Sequence, residues 1–187
     1  MNIAIVGATG NVGRKTLEVL EKKGLTLGNL YLVASSKSAG KKIHFQGKDI
    51  IVSELENFDF SKVKIAFFAA GGKISEKFAE KAAKHCLVID NSSFFRMDPD
   101  VPLIVPQVNS DALNNVKKNI IANPNCSTAQ LVIALKPLHD LFVIKRIVIS
   151  TYQSVSGAGK ASMDELIKQT KLACLLYTSP SPRDVST

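Results

Sequence analysis

The sequence predicts an α/β fold in which a doubly wound, mostly parallel sheet is followed by the start of a second, α+β domain. Short apolar runs alternate with amphipathic stretches along the chain, which is the pattern of βαβ units with right-handed crossovers. A glycine-rich loop also separates the first apolar run from the first amphipathic stretch. Such a loop commonly brings a phosphate group to the start of a helix.

The elements follow in chain order from apolar periodicity and from helix-ending residues. Strands are predicted at Asn2–Val6, Asn29–Ala34, Ile65–Ala69, Leu87–Asp90, Ile120–Ala122 and Val143–Gln153. Helices are predicted at Asn11–Lys23, Lys73–Lys84, Cys126–Asp140 and Ala161–Lys171. We therefore expect a first domain at residues 1–124, the beginning of a second at 125–171, and an atypical tail at 172–187.

The composition is that of an ordinary globular protein. Of the 187 residues, 45% are hydrophobic and 21% are charged, which excludes a disordered chain, a collagen-like repeat and a small disulfide scaffold. No apolar run approaches the roughly 18 residues that a membrane span needs. The amino terminus has no basic segment typical of a signal peptide. We expect a cytoplasmic protein with no membrane partner.

The net charge of +8 is unevenly distributed. Six lysines and no acidic residue occur between Lys22 and Lys48. Aromatic residues make up only 6% of the chain, with no Trp, so there is little on which nucleic-acid bases could stack. A localised site for a phosphorylated small molecule fits this distribution better than a nucleic-acid groove. A solvated lysine-rich surface is the alternative.

The glycine-rich loop has the spacing G-x-x-G-x-x-G. Its residues are Gly7, Ala8, Thr9, Gly10, Asn11, Val12 and Gly13. Glycines at these positions permit a tight turn, close approach of a pyrophosphate and close packing of helix on strand. The predicted fold is therefore Rossmann-like, with a dinucleotide bound at this loop. A purely structural turn is the alternative.

The end of the second strand selects the cofactor. An NAD site usually has an acidic residue there for the ribose 2′-hydroxyl, whereas this chain has Ser35, Lys37 and Ser38. Hydroxyls and an ammonium group suit a 2′-phosphate, which a carboxylate would repel. We expect NADP as the cofactor and no metal.

Cys126 is the candidate nucleophile. It follows Asn125, a good N-cap, at the start of a predicted helix, where free N–H groups stabilise a thiolate and could stabilise an oxyanion. A structural cysteine is the alternative. Cys86 precedes an apolar run and is expected in the core. Three cysteines without a C-x-x-C pair suggest free thiols in a reducing compartment.

None of the three histidines is a convincing partner for Cys126. His139 is 13 residues further along the same predicted helix, or roughly 20 Å at 1.5 Å per residue. His85 ends a helix and His44 lies in a lysine-rich loop or strand. Either the mechanism needs no histidine, or that histidine is not in this chain.

Two further polar segments are candidates for ligand contacts. One follows a predicted buried strand and contains Asn91 and Arg96, at the edge where open α/β sheets bind ligands. Arg96 could bind a phosphate or carboxylate, or be a surface arginine. The other runs from Gln153 through Ser156 and Gly157, and is either a cofactor contact or a simple strand-to-helix connection.

The motifs together resemble the aspartate-β-semialdehyde dehydrogenase family, from Met1 to about Lys171. They are GATGNVG, ASSKSAGK, DNSSFFR, VPQVN at Val105–Asn109, NPNCST and STYQSVSGAG. The related N-acetylglutamyl-phosphate reductases usually have a glycine before the cysteine and a tyrosine after it. Asn125 and Ser127 fit the aspartate enzymes better. A stand-alone nucleotide-binding module is a third alternative.

The resemblance implies reduction of L-aspartyl-4-phosphate to its semialdehyde by NADPH, with release of inorganic phosphate. This reaction belongs to the synthesis of lysine, threonine, methionine and bacterial diaminopimelate. The resemblance also implies that the full-length protein is a homodimer or homotetramer. Cys126 would form the acyl-thioester, Asn125 would support it, Gln153 would orient it, and Asn91 and Arg96 would hold phosphate. The residues implied to contact the cofactor are Gly7, Thr9, Gly10, Asn11, Val12, Gly13, Ser35, Lys37, Ser38, Ser156 and Gly157.

The family's catalytic domain continues beyond this chain and supplies an acid/base histidine. The resemblance therefore implies that the 187-residue chain is an inactive fragment. Residues 172–187 include a segment rich in Ser and Pro, which suits neither a helix nor a strand. This tail is either a flexible terminus or foreign sequence joined to a truncated chain.

Overall fold

The computed structural model describes residues 1–177, and the side chains of residues 1–173. Its main feature is a six-stranded sheet, in which every strand pairs in parallel with its neighbours. The strands are β1 (Ile3–Val6), β2 (Leu30–Ala34), β5 (Ser53–Glu54), β6 (Ile65–Phe68), β7 (Leu87–Asp90) and β8 (Ile120–Ala122). Their spatial order is β5-β2-β1-β6-β7-β8, which is the doubly wound order of a Rossmann fold. The predicted fold class is confirmed.

Both faces of this sheet are buried, because strand residues point alternately to opposite sides. Ala4 and Val6 of β1 belong to the apolar cluster on one face, together with α2 (Gly72–Ala83). Ile5 belongs to the cluster on the other face, together with α1 (Asn11–Lys22). All four residues of β1 are buried, as expected for a central parallel strand.

A two-stranded antiparallel sheet lies outside the predicted pattern. It consists of β3 (Lys42–Phe45) and β4 (Lys48–Ile51). The connecting residues Gln46 and Gly47 both have positive φ, at 46° and 75°, as a two-residue hairpin turn requires. Phe45 anchors the hairpin in the apolar core beside α1.

The chain after β7 is mostly helical. It forms the short α3 (Pro106–Asn109), then α4 (Cys126–Phe142) and α5 (Lys160–Tyr177). The predicted strand at Val143–Gln153 is wrong, because no strand forms there. A strand needs a neighbouring strand to pair its N–H and C=O groups, and none of the described strands pairs with this segment.

The chain forms two units, Met1–Val148 and Ile149–Thr187. Within the second unit, α5 extends through Tyr177, so the first six residues of the expected tail are helical. The Ser- and Pro-rich remainder, 178–187, lies outside the described residues. No helix within residues 1–177 is long and apolar enough to cross a bilayer.

Candidate functional site

The glycine loop between β1 and α1 can adopt its observed conformation only because Gly7 and Gly13 have no side chains. Gly7 has a φ of +86°, and a Cβ there would lie 2.7 Å from the Ala69 carbonyl oxygen. A Cβ on Gly13 would lie 2.3 Å from the Gly7 carbonyl oxygen. The loop therefore approaches the end of β6, and α1 approaches the loop, more closely than any other residue type would allow.

The start of α1 is open to an anion. Gly10 is the N-cap of α1 and supplies no capping side chain, and Thr9, Gly10, Asn11 and Val12 are partly or fully exposed. Helix geometry leaves the first N–H groups without intrahelical acceptors and gives this end a partial positive charge. A pyrophosphate placed here would meet these N–H groups.

The loop after β2 lies beside the glycine loop. The Thr9 hydroxyl donates to Ser38 Oγ at 3.4 Å, which joins the two loops. Ser35 and Lys37 are exposed and Ser38 is half-buried. The backbone N–H groups of Ser38 and Ala39 both donate to the Ser35 carbonyl, which gives the loop a fixed turn. The hydroxyls of this loop therefore lie next to the start of α1.

The carboxyl ends of β7 and β8 are joined by polar contacts. Asn123 Nδ2 donates to Asn91 Oδ1 at 2.7 Å. Arg96, which is half-buried, donates from Nε to the Asn123 carbonyl at 3.0 Å and from Nη2 to the Asn91 carbonyl at 3.2 Å. Two of the five guanidinium N–H donors thus join the Arg96 side chain to the backbone at the ends of β7 and β8.

Cys126 is the first residue of α4 and is exposed. Asn125 caps the helix by accepting a bond from the Ser127 N–H at 3.0 Å. The Cys126 thiol lies 3.8 Å from Asn125 Oδ1. Since β8 is parallel to β1 and β7, its carboxyl end places Cys126 on the same edge of the sheet as the glycine loop.

Cys86 has the opposite surroundings, as the sequence predicted. It is 6% exposed and belongs to the apolar core. Burial raises the pKa of its thiol from 9.0 to about 11, because a thiolate is poorly solvated in an apolar environment. Cys86 is therefore a packing residue.

The histidines lie where the sequence placed them. His139 is in the last turn of α4, at the opposite end from Cys126, and His85 follows α2. The third, His44, pairs with Asp49 across the hairpin at 3.0 Å. Within the described residues there is no cluster of three His, Cys, Asp or Glu side chains that could hold a metal ion.

The remaining site candidates belong to the second unit. Gln153, Ser156 and Gly157 are all exposed. Ser154 caps a short 3-10 helix at Val155–Ala158, with Ser156 N–H donating to its hydroxyl at 3.4 Å. The segment therefore has a defined turn that presents the Ser156 and Gly157 backbone.

The structure thus brings most of the predicted residues of the first unit to one sheet edge. The sequence missed Asn123, which connects Asn91, Arg96 and the turn before Cys126. The available signal was an asparagine directly after a buried strand, at the edge where ligands bind.

Two family models match the chain. Residues 2–116 match the semialdehyde dehydrogenase NAD binding domain, and residues 135–186 match the semialdehyde dehydrogenase dimerisation domain. Among curated proteins, the aspartate-semialdehyde dehydrogenase of Rickettsia bellii is 54% identical over 172 residues, covering 91% of this chain and 51% of the relative. Aspartate-semialdehyde dehydrogenase 2 of Vibrio cholerae is 53% identical over 171 residues, with 90% and 51% covered.

Solved structures agree with these matches. Aspartate semialdehyde dehydrogenase II from Vibrio cholerae, complexed with ASA, superposes with a TM-score of 0.89 at 52% identity, covering 96% of this chain and 54% of that one. The Candida albicans enzyme with NADP has a TM-score of 0.62 at 29% identity, with 76% and 48% covered. The chain spans about half the length of the curated relatives it matches. It belongs to the semialdehyde dehydrogenase family.

Proposed function

We propose that this chain carries the cofactor-binding domain and the nucleophile of an NADP-dependent aspartate-semialdehyde dehydrogenase. The observation that carries the proposal is the exposed Cys126, capped by Asn125 at the start of α4, on the same sheet edge as the glycine loop. A nucleotide-binding module has no need of a thiol there. A reductase that forms an acyl-enzyme needs both groups at one edge.

The residues present fit NADP. Gly7 and Gly13 let the loop pack closely against the end of β6 and against α1, and the exposed start of α1 suits a pyrophosphate. Ser35, Lys37 and Ser38 would contact the 2′-phosphate, since the segment from Ala34 to Lys41 contains no carboxylate to repel it. Bound NADPH would supply a hydride to an acyl carbon.

Cys126 would carry the acyl group. Its sulfur attacks the acyl carbon of L-aspartyl-4-phosphate, the carbon–oxygen bond to phosphate breaks, and inorganic phosphate leaves with the electron pair. Cys126 would later leave the acyl carbon as a thiolate, when the carbon–sulfur bond breaks and the semialdehyde is released. The N–H groups at the start of α4 would stabilise the oxyanion in each step.

The other polar residues would position the substrate. The N–H groups of Arg96 that the two carbonyls do not use would bind the phosphate, beside Asn91. Gln153 would orient the acyl group, and Ser156 and Gly157 would contact the cofactor. The match to a dimerisation domain supports a homo-oligomer, and we place the enzyme in the cytoplasm.

The test is an assay of the whole protein, expressed from the gene with the coding region that follows Lys171. We expect NADP reduction that requires both aspartate semialdehyde and phosphate. Cys126→Ser should lower kcat by about 1,000-fold or more, since removal of a nucleophile typically costs that much, while Cys86→Ser retains activity.

Three results would contradict the proposal. Activity in the Cys126→Ser variant would show that Cys126 is not the nucleophile. A preference for N-acetylglutamate semialdehyde would assign the protein to the N-acetylglutamyl-phosphate reductases. A protein that binds NADPH saturably but has an unreactive Cys126 would be a nucleotide-binding module.

A further inference from the structure

Asp90 is a buried carboxylate at the carboxyl end of β7, and nothing in the proposed reaction uses it. It is 0% exposed. Its Oδ1 accepts from the Ser75 hydroxyl of α2 at 2.6 Å and from the Ser92 N–H at 3.1 Å, and its Oδ2 accepts from the Ser92 hydroxyl at 2.6 Å. Burial of a polar group is costly unless it is hydrogen-bonded, so these three bonds compensate for the burial of the Asp90 side chain.

The contacts continue from Asp90 toward Arg96. The Ser92 hydroxyl, which donates to Asp90, also accepts from the Phe94 N–H at 3.1 Å. This fixes the turn between Ser92 and Arg96, and the adjacent Phe95 is 2% exposed, which anchors the turn in the core. Arg96 then donates to the Asn123 carbonyl, three residues before Cys126.

We propose that Asp90 and Ser92 are positioning residues, which fix the turn that aims the Arg96 guanidinium between the ends of β7 and β8. The consequence for anion binding beside Cys126 rests on the proposed function, whereas the positioning of Arg96 does not. Ser75 has a different part, since its hydroxyl joins Asp90 to α2. The hydrogen-bond network around Asp90 therefore has two arms. The Ser92 arm leads to Arg96, and the Ser75 arm leads to α2.

These two arms supply a matched pair of variants in the 187-residue chain. Ser92→Ala and Ser75→Ala each remove one hydroxyl that donates to Asp90 at 2.6 Å. The direct readout is the solvent exchange rate of the Arg96 Nε–H, measured by nuclear magnetic resonance, because that proton is held by the Asn123 carbonyl. A merely structural role would lower the melting temperature in both variants and leave this rate alone.

We expect Ser92→Ala to speed this exchange by about fivefold or more, the population change that follows the loss of one hydrogen bond. Ser75→Ala should leave the rate within twofold of the parent chain, and Ser92→Thr, which keeps the hydroxyl, should restore it. Asp90→Asn is the second variant, since it keeps the volume of the side chain and removes one acceptor. If Ser92→Ala does not fold, Asp90→Asn tests the positioning role. An unchanged rate in a folded Ser92→Ala or Asp90→Asn chain, or an equal rise in Ser75→Ala, would overturn the positioning role.

A second readout separates this inference from the proposed function. The rate of Cys126 alkylation by iodoacetate is divided by the rate with iodoacetamide, each followed by peptide mass spectrometry. We expect Arg96→Gln to lower this ratio, and Ser92→Ala to lower it in the same direction, with Ser75→Ala unchanged. If Arg96→Gln leaves the ratio unchanged, the anion-binding role of Arg96 is wrong, while the exchange rate still decides the role of Asp90 and Ser92.

Discussion

The apolar side chains of the six-stranded sheet are buried, whereas many of those in the segment after it are exposed to solvent. Ile5 and Phe68 in the sheet are 0% exposed, whereas Leu141, Phe142 and Val148 are 74%, 75% and 81% exposed. No residue of α4 is fully buried, and a groove of about 440 Å³ lies between α4 and residues 144–147. Apolar periodicity therefore predicts that a face exists, and only the presence of a packing layer decides whether that face is buried.

The largest expected effect comes from truncating one phenylalanine in each region. Phe68→Ala should lower the free energy of unfolding by about 3–5 kcal/mol, because it leaves a cavity in a closed core. Phe142→Ala should change it by less than about 0.5 kcal/mol, since its ring already contacts solvent. Urea unfolding followed by circular dichroism measures both. Similar losses in the two variants would show that the regions do not differ in packing.

Two glycines, Gly13 beside the sheet and Gly157 in the second unit, differ in how closely other atoms surround them. Gly13→Ala should destabilise the chain by about 2–3 kcal/mol, because its Cβ would lie 2.3 Å from the Gly7 carbonyl oxygen and force α1 away from the loop. Gly157→Ala is the control, because a Cβ there meets nothing within 4 Å. Thermal unfolding checks the expectation, which a tolerated Gly13→Ala would contradict.

The two described cysteines differ in exposure, since Cys86 is buried and Cys126 is exposed, and their reactivity should differ accordingly. With its pKa raised to about 11 by burial, the Cys86 thiol is ionised in roughly 1 of 3,000 molecules at pH 7.5. Exposed Cys126 should therefore react with iodoacetamide about 100-fold faster or more, as peptide mass spectrometry can resolve.

The pH and unfolding dependence of this labelling provide its controls. Labelling of Cys86 should rise as pH approaches 11, because only then does its thiolate form, and in urea its rate should approach that of Cys126. Equal rates in the native chain at pH 7.5 would contradict the burial of Cys86.

The sequence predicted five of the six strands of the parallel sheet, because these are short apolar runs bounded by glycines or polar residues. It missed β5 (Ser53–Glu54), which consists of two polar residues. It missed the β3–β4 hairpin, since Gln46-Gly47 is a weaker turn signal than Asn-Gly and the flanking strands are rich in lysine. It was wrong about Val143–Gln153, where a strand-like run lacks a partner strand in the described part of the chain.

The candidate site was predictable where backbone geometry alone decides it. The spacing of Gly7, Gly10 and Gly13 predicts the loop, and Asn125 predicts the cap that places Cys126 in the first turn. The two backbone bonds of Arg96 were not predictable, because one acceptor, the Asn123 carbonyl, lies in a loop that is 27 residues away in sequence. Every residue has a backbone carbonyl, so a side-chain bond to a distant carbonyl produces no recognisable pattern in the sequence.

Calorimetric titration of the 187-residue chain with NADPH and with NADH tests whether this sheet edge binds NADPH. We expect saturable binding of NADPH at least about tenfold tighter than of NADH, since a charge-assisted bond to the 2′-phosphate adds about 1.5–3 kcal/mol. Lys37→Ala should narrow that preference, whereas Lys48→Ala in the hairpin should not. Equal affinities, tighter binding of NADH, or no saturable binding would show that this sheet edge is not an NADPH site.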